Sequence, residues 1–548
     1  MFVVTDSNLS ADTAYSFVVA QEGDTASLFD YVEIRDANTR WMGQIVELSP
    51  HIGKAGGPTD PFVIQGCEMV ASSYSSQMAE YYKFWKILLL CEITEDGAAT
   101  LRTRPVPGSV AARMDREATV ALLGLPPLGD PTNVIGYLLN ADDVPLCVDD
   151  KNFTQHVMVN GASGFGKSNV SSNLIQRAAK LGFTVFLHDA KPDYRIMENG
   201  NTDPKVERIW PYFEKYDLRP MQPDKLTKIG IYGIGDDDAP GSYDKYDQVF
   251  GLNASHISGD DLASLFFTDG TGSDERAYEA IWGAHATLAD ERSENGRGFT
   301  TEDVIEWIRN NTEDSDGSKG GKGSKGSKGG NGDIHPATAA KIYRRYRTIK
   351  QRFPWLDSVG KIIGSSTNAF DQDGRRVVER LSVLDLVNGG GIVHIEYPPS
   401  DELSYAVIMA RFMQLCQTIQ SGKNKRAGGI VQFVDEAHRI FTNGSKYSAS
   451  LASRFTRIMV EGRSKRHGVI ISLQNSSEVP AKILNNISTH IVMRQNSLEI
   501  ARSATETMGR EFAARATSLS KGQALCRFPD SPYTILALMA PSPFDLER

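Results

Sequence analysis

The chain has few cysteines and no long apolar run. Among its 548 residues, no two of the five cysteines have the close CxxC spacing of a metal site, and an odd number is typical of a reducing compartment. The longest apolar runs, such as FWKILLL at 84–90, are much shorter than the ~20 residues that cross a bilayer. The opening residues MFVVTDSNLS lack the basic and apolar regions of a signal peptide. From these absences we expect a soluble, cytoplasmic protein without a membrane partner.

The chain also lacks a basic excess. Its formal net charge is −9, which argues against a whole surface built for nucleic acid but leaves a local basic groove or channel open. A chain of 548 residues is too long for a single hydrophobic core, so we expect two or three domains.

The first 125 residues have the pattern of a small β-domain. Short runs of alternating apolar and polar residues, separated by polar and glycine-containing stretches, predict a small barrel or sandwich. These runs lie at 14–21, 30–36, 42–49, 86–94 and 98–107. The prolines at 126, 127 and 131 then indicate a connector over 126–149.

Beyond residue 150 the pattern changes to alternating strands and helices, which predicts an α/β fold with a parallel sheet. We expect one part of this domain at 150–254 and a second part at 386–535, followed by a tail at 536–548. A helical insertion at 255–385 separates the two parts. It contains a Gly/Ser/Lys tract at 314–333, which we interpret as a flexible loop because it has too little apolar surface to fold.

The stretch GASGFGKS, from Gly161 to Ser168, satisfies the G-x-x-x-x-G-K-[ST] pattern between a predicted strand and a predicted helix. In such a loop the backbone N–H groups surround phosphates, the lysine bridges the β- and γ-phosphates, and the serine hydroxyl binds Mg²⁺. We therefore predict an ATP and Mg²⁺ site at this loop. Its binding residues are Gly161, Ser163, Gly164, Phe165, Gly166, Lys167, Ser168 and Asn169.

A second half of the site is predicted at Asp435-Glu436, which ends the apolar run IVQFV. Ligands of open α/β sheets bind at the carboxyl ends of strands. Asp435 is expected to hold Mg²⁺ through its water shell, and Glu436 to activate the attacking water as a general base. The next strand ends in Gln474, which we interpret as a sensor of the γ-phosphate on a strand next to that of Asp435.

Phosphoryl transfer also needs positive charge on the transferred group. The stretch SRFTRIMVEGRSKRHG offers Arg454, Arg457, Arg463, Lys465 and Arg466. On composition alone, each of these fits a solvated helix charge as well as a catalytic arginine.

The order of these motifs resembles HerA, the hexameric DNA-pumping ATPases of the HerA/FtsK superfamily. The resemblance extends over almost the whole chain, and FVDEAHR followed by EGR and a strand ending in glutamine is its most particular part. It implies an N-terminal HAS-type barrel, a RecA-like P-loop NTPase core and a helical insertion. It also implies a homo-hexamer with double-stranded DNA in its central channel.

The resemblance assigns roles to further residues. It makes Arg463 a residue that reaches the γ-phosphate of its own subunit, together with Lys167, Glu436 and Gln474 as catalytic residues. It places Lys191 and Arg195, in HDAKPDYR, as candidate channel charges, although a surface turn fits them equally well.

One position departs from the family pattern. Relatives have an arginine before the histidine that precedes the loop, and that arginine completes the neighbouring site. This chain has Gln155-His156 instead, and a glutamine cannot supply a full positive charge. Either another residue, with Arg457 and Arg494 as candidates, acts on the neighbour, or hydrolysis is slower.

Three functions remain open at this point. The first is an ATP-driven double-stranded DNA translocase that acts with a partner nuclease or effector, NurA-like or sirtuin-like, docked on the barrel in DNA end processing or anti-phage defence. The second is an ATP-binding hexameric scaffold that activates an effector with little translocation, which would show DNA-independent turnover. The third is a secretion or conjugation ATPase, which would be found with membranes.

Overall fold

The structure is a computed structural model that describes most of the chain. The described residues are 2–9, 14–20, 27–52, 81–126, 133–139, 141–216, 218–232, 245–267, 274–293, 298–312, 334–358, 382–397, 402–423, 425–441, 446–509 and 512–547. The predicted flexible tract at 314–333 lies outside them.

The N-terminal region is an antiparallel sheet of seven strands that closes on itself. The strands are β1 (Phe2–Leu9), β2 (Ala14–Ala20), β3 (Tyr31–Arg35), β4 (Arg40–Ile52), β5 (Tyr81–Thr94), β6 (Gly97–Ala99) and β7 (Val110–Arg113). Their order is β2-β1-β7-β3-β4-β5-β6, and β2 pairs with β5 as well as with β1. Six strands therefore form a closed ring, with Trp41, Ile45 and Ile87 buried inside it.

The central sheet has twelve strands. Those not in the N-terminal region are β8 (Val134–Leu138), β9 (Ala141–Cys147), β10 (Val157–Asn160), β11 (Thr184–Asp189), β12 (Leu226–Ile231), β13 (Gln248–Phe250), β14 (Gly391–Glu396), β15 (Ile430–Val434), β16 (His467–Leu473), β17 (Thr489–Val492), β18 (Gln523–Phe528) and β19 (Ser531–Met539). Their order is β13-β12-β14-β11-β15-β16-β10-β17-β18-β19-β8-β9.

The first eight strands in this order are parallel, and the last four extend the sheet in antiparallel fashion. The central strands β10, β11, β15, β16 and β17 are buried along their whole length, as expected where helices cover both faces. This agrees with the predicted α/β, RecA-like core. Because the strands are parallel, their carboxyl ends meet at one edge of the sheet, here called the carboxyl edge, and their amino ends at the other, the amino edge.

Helices cover the sheet and form the insertion. They are α1 (Arg116–Leu123), α2 (Asp150–Thr154), α3 (Lys167–Lys180), α4 (Pro204–Glu207), α5 (Trp210–Phe213), α6 (Gly259–Phe266), α7 (Glu275–Ser293), α8 (Thr301–Asn310), α9 (Pro336–Arg352), α10 (Val383–Gly389), α11 (Glu402–Ser421), α12 (His438–Phe441), α13 (Lys446–Lys465), α14 (Ala481–Leu484), α15 (Leu498–Ala504) and α16 (Phe512–Ser518). No helix among the described residues is long and apolar enough to cross a membrane.

The insertion predicted at 255–385 is helical in its described part, where α6, α7, α8 and α9 pack on one another. Local sequence explains the start of two of them. Ser258 and Thr300 are N-caps whose side chains accept hydrogen bonds from the backbone N–H groups of Asp261 and Asp303, which return the contact in capping boxes.

Three sequence-based boundaries were wrong. Residues 134–138 and 141–147, predicted as part of a connector, form β8 and β9, the last two strands of the central sheet. Residues 531–539 form β19, so the predicted tail begins within a sheet strand. Of the strand expected at 98–107, only the first residues join β6, since Leu101–Ser109 has no strand structure. These boundaries were wrong because a strand belongs to a sheet through its hydrogen bonds to another strand, and prolines and short apolar runs do not show which distant segment that partner is.

Candidate functional site

The loop from Gly161 to Ser168 leaves the carboxyl end of β10 and runs into α3. Gly164 and Gly166 have φ values of +82° and +110°, a backbone conformation that favours glycine. The base of the loop is fixed by backbone hydrogen bonds from Gly161 N to Leu473 O (3.2 Å) and from Ala162 N to Arg494 O (2.8 Å). Since no side chain caps the start of α3, its first N–H groups face the loop and suit an anion.

Lys167, the first residue of α3, is 9% exposed, and its Nζ donates to Gly161 O at 2.9 Å. Burial lowers the pKa of Lys167, while the carboxylates of Glu436 and Asp435 act in the opposite direction. The ammonium group is thus held across the loop in which a phosphate would lie. The neighbouring Ser168 Oγ donates to Asp193 Oδ2 at 3.0 Å.

Asp435 follows directly on the carboxyl end of β15. Its backbone is held on both sides, because its N–H donates to His188 O (3.3 Å) and its carbonyl accepts from the Tyr405 hydroxyl (2.8 Å). Burial raises the pKa of Asp435 well above its usual range, and the nearby carboxylate of Glu436 adds to the effect. A divalent cation beside Asp435 would favour its ionised form and relieve this cost.

Glu436 is 4% exposed and has a φ of +47°, which a residue with a side chain rarely adopts and which costs about 1 kcal/mol or more. Its carboxylate accepts from Gln474 Nε2 (3.0 Å to Oε1 and 3.2 Å to Oε2) and from Lys191 Nζ (2.8 Å to Oε1). Burial alone would raise the pKa of Glu436, but the hydrogen bonds from Lys191 and Gln474 outweigh it and lower the pKa. Glu436 is therefore an ionised, acceptor-only group.

The structure brings most of the predicted site residues to one place. The loop, Asp435, Glu436 and Gln474 all follow the carboxyl ends of β10, β15 and β16, which are adjacent in the sheet. The strand of Gln474 was predicted to neighbour that of Asp435, and β15 and β16 are indeed paired in parallel. One strand, β16, separates the loop strand from the Asp435 strand.

Arg463 is the exception, and the expectation that it reaches the phosphates of its own chain is wrong for this structure. It lies in the last turn of α13, just before β16 begins at His467, and therefore at the amino edge. The seven residues of β16 separate this edge from the loop by about 23 Å. Arg463 is exposed and lies near Lys151, the second residue of α2.

The glycine of the EGR stretch has a steric explanation. A Cβ on Gly462 would lie 2.2 Å from the backbone oxygen of His467 and 3.2 Å from Cε1 of His156. His156 in turn contacts α13 through a 2.8 Å hydrogen bond between its Nε2 and Met459 O. The end of α13 is thus packed against His156, the residue that follows Gln155.

Sequence reasoning missed two site residues that follow β11. Lys191 pairs with Glu436, and Asp193 accepts from Ser168. The signal was available, since a residue that follows a parallel strand must lie at the carboxyl edge. Lys191 was instead considered for a channel, as was Arg195, whose guanidinium lies 2.6 Å from the buried carboxylate of Glu396.

Arg494, considered as a residue that acts on a neighbour, lies at the loop of its own chain. Its guanidinium stacks over the Phe165 ring, with 4.8 Å between the guanidinium carbon and the ring centroid. This geometry is a cation–π contact, and it holds Phe165 at the mouth of the loop.

The residues present fit a magnesium–nucleotide site. Mg²⁺ prefers oxygen ligands and is commonly held by one or two protein groups together with phosphates and water. Ser168 and Asp435 offer such oxygens at the same edge of the sheet. Within the described residues, no cluster of three His, Cys, Asp or Glu side chains forms a separate metal site.

Comparison with known proteins agrees with this geometry. Residues 133–386 match the family model of the HerA helicase central domain. A probable helicase of Methanocaldococcus jannaschii is 31% identical over 165 residues, which cover 29% of this chain and only 28% of that relative.

Among solved structures, VirB4 of Thermoanaerobacter pseudethanolicus is 12% identical, covers 76% of this chain and 97% of its own, and gives a TM-score of 0.45. The plasmid coupling protein TrwB, in a complex with ADP and Mg²⁺, is 13% identical, covers 76% of this chain and 92% of its own, and gives 0.43. Both TM-scores are below 0.5, so these likenesses add nothing to the fold, which rests on the strand order, or to the site, which rests on its geometry. The match over residues 133–386 shows that this part of the chain is similar to the HerA helicase central domain.

Proposed function

We propose that this protein is an ATP-driven translocase of double-stranded DNA that works as a ring. The observation that carries the proposal is the meeting of Lys167, Ser168, Asp435, Glu436 and Gln474 at one edge of the parallel sheet. These are the groups that cleave a phosphoanhydride with water: a phosphate cradle, a metal-binding hydroxyl and carboxylate, and a base beside a polar amide.

Each group has a distinct task in hydrolysis. Lys167 and the N–H groups of the loop bind and orient the phosphates, and Ser168 with Asp435 would hold Mg²⁺, which offsets the negative charge of the triphosphate. Glu436 accepts a proton from the attacking water, and Gln474, which already donates to both of its oxygens, holds the carboxylate in place. Phosphate cleavage then releases ADP and phosphate and resets the site.

The position of Arg463 supports a shared site between subunits. Among the described residues it has no ion-pair partner, and it is exposed at the amino edge, where the preceding Gly462 packs on His156. The resemblance to HerA implies that the Gln155-His156 segment contributes to the neighbouring subunit's site. We propose that Arg463 supplies the positive charge that Gln155 lacks, acting on the nucleotide of the next subunit in a homo-hexamer.

Helix α9 supports the DNA part of the proposal. Its 17 residues contain six basic side chains and no acidic one, in a chain with a net charge of −9. Ala339, Ile342 and Ile349 turn one face of α9 into the core, and Arg344, Arg347 and Arg352 lie on the opposite, exposed face. No described carboxylate pairs with these three arginines, so they are available to DNA phosphates without base readout.

A partner nuclease or effector, NurA-like or sirtuin-like and docked on the N-terminal barrel, completes the proposal. Its support is the resemblance to HerA. A co-purification in which the chain without residues 1–125 loses the partner would test this placement; retention of the partner would move the docking site to the ATPase core.

The deciding experiment is ATP hydrolysis by the purified protein with and without linear double-stranded DNA, with Lys167→Ala as the blank. Hydrolysis that rises several-fold with DNA, and that the blank lacks, supports the motor. Equal rates of hydrolysis with and without DNA support the alternative, a hexameric scaffold that activates an effector. Recovery of the protein in a membrane fraction would instead support a secretion or conjugation ATPase.

A further inference from the structure

A short turn after β11, here called the 191–195 turn, touches both halves of the candidate site. Lys191 Nζ lies 2.8 Å from Glu436 Oε1, and Asp193 Oδ2 accepts from Ser168 Oγ at 3.0 Å. One side of the turn therefore contacts the proposed base and the proposed magnesium ligand. The other side is anchored away from the site by Arg195.

The ion pair of Lys191 restricts what Glu436 can do. A carboxylate has about four acceptor positions, and here Lys191 occupies one of them while Gln474 Nε2 approaches both oxygens at 3.0 and 3.2 Å. His438 Nδ1 lies 3.4 Å from the second oxygen, Oε2. An attacking water must donate to one of these oxygens, and the adjacent ammonium group reduces their attraction for a proton.

The exposure of the two partners shows which of them can move. The Glu436 side chain is 6% exposed and rests on a constrained backbone, whereas the Lys191 side chain is 43% exposed on a flexible stem. Withdrawal of Lys191 toward solvent would leave Glu436 in place. The restraint can therefore be released without rebuilding the site.

The anchor of the turn offers a chemical trigger. Arg195 is 35% exposed and is held by Glu396 Oε1 at 2.6 Å and by Glu547 at 3.5 Å. A guanidinium binds phosphate with the same two-pronged geometry as a carboxylate. A DNA phosphate that competes for Arg195 would shift the turn that carries Lys191.

We propose that Lys191 is a positioning residue that restrains Glu436 until DNA is bound. The inference rests on the proposed DNA-dependent ATPase function. It predicts that the ion pair limits hydrolysis in the absence of DNA and that its loss makes hydrolysis independent of DNA.

The test compares Lys191→Met and Lys191→Arg with the unmodified protein by steady-state ATP hydrolysis with and without linear duplex DNA. Lys191→Met is expected to raise kcat without DNA at least threefold, to leave KM for ATP unchanged, and to reduce the stimulation by DNA correspondingly. Lys191→Arg, which keeps the positive charge, is expected to keep hydrolysis without DNA as low as in the unmodified protein.

A matched control is Arg113→Met, which removes a half-exposed cation (50%) from a buried carboxylate, Asp30, at 2.7 Å in the N-terminal barrel. It is expected to leave basal and stimulated rates as they are. A fall in kcat with a rise in KM for Lys191→Met would overturn the inference, because Lys191 would then be a phosphate ligand. Unchanged rates would overturn it as well. If DNA does not stimulate ATP hydrolysis by the unmodified protein, that result contradicts the proposed function itself and not only the role of Lys191.

Discussion

The two edges of the central sheet differ in how their charges are used. At the carboxyl edge, Lys167, Lys191 and Arg195 are each held by a hydrogen bond or an ion pair within the chain. At the amino edge, Arg463 is exposed and, among the described residues, has no ion-pair partner. These three cations of the carboxyl edge are thus engaged within the chain, and Arg494 stacks on Phe165, whereas Arg463 at the amino edge faces outward.

This difference indicates that one chain contains a cradle and a base, while its Arg463 lies too far away to reach its own nucleotide. Catalysis benefits from a positive charge that stabilises the transition state more than the ground state. Where the cations of a site are already paired, a residue from outside that site can supply this charge. In the proposed ring, the amino edge of one subunit would face the carboxyl edge of the next, so that Arg463 would reach the neighbouring nucleotide.

The largest effect on ATP hydrolysis is expected from removing the exposed charge of Arg463 at the amino edge. Arg463→Ala should lower ATP hydrolysis by about 10³-fold, the usual lower value for a catalytic arginine supplied in trans. Mixed with Lys167→Ala subunits, whose sites are inactive but whose Arg463 is intact, it should regain activity, which neither variant has alone. The measurement is hydrolysis across a series of mixing ratios.

The control for this experiment is Arg457→Ala on the same helix, where the side chain is 79% exposed and pairs with Glu461 at 2.9 Å. Its hydrolysis should stay near that of the unmodified protein. A failure of the mixture to regain activity would show that Arg463 does not serve a neighbouring site.

At the carboxyl edge, Glu436→Gln should lower kcat by at least about 10²-fold, the lower end of general base catalysis. Nucleotide affinity should persist, because Lys167 and the loop are untouched, and a fluorescent ATP analogue measures it by titration. Lys167→Ala is the contrasting variant and should lose binding as well. Hydrolysis by Glu436→Gln within a few fold of normal would mean that another group activates the water.

The contrast also shows what a sequence can reveal. The loop, Asp435-Glu436 and Gln474 could be predicted because each directly follows an apolar run, and parallel strands end at one edge. The same rule, applied to Arg463 four residues before a strand, would have placed it at the opposite edge. By contrast, the pairing of β2 with β5 and of β8 with β19 joins segments far apart in sequence, and no local pattern encodes it.

A smaller effect is expected from the exposed face of α9. Replacing Arg344, Arg347 and Arg352 by glutamine should weaken binding to duplex DNA of any sequence. It should also reduce the slope of log affinity against log salt concentration by about 2.7 if all three contact phosphates, at ~0.9 per contact. Fluorescence anisotropy at four salt concentrations measures both.

The matched variant replaces Arg35, Arg102 and Arg208, which are also exposed, by glutamine and removes the same charge elsewhere. Its slope should equal that of the unmodified protein. Equal slopes for both triple variants would show that α9 does not contact DNA.

The smallest effect is expected in the free energy of unfolding, compared between one arginine variant from each edge of the sheet. Arg195→Gln removes the 2.6 Å partner of the 4%-exposed carboxylate of Glu396, which keeps Lys245 at 3.4 Å and Tyr246, and should cost about 2 kcal/mol of unfolding free energy. Arg466→Gln breaks a 2.7 Å pair with Asp150 in which both side chains are about 40% exposed, and should cost at most about 1 kcal/mol.

The pH dependence separates these two arginine variants further. Burial raises the pKa of Glu396, but Arg195 and Lys245 outweigh it and lower the pKa below its usual range. A carboxylate with a lowered pKa in the folded state stabilises the fold above its unfolded pKa and loses this contribution as the pH falls through the folded pKa. The deficit of Arg195→Gln in urea unfolding should therefore be full at pH 7 and shrink on acidification below the usual range of a glutamate. A deficit that stays constant with pH would mean that Arg195 stabilises the carboxyl edge by packing and not through Glu396.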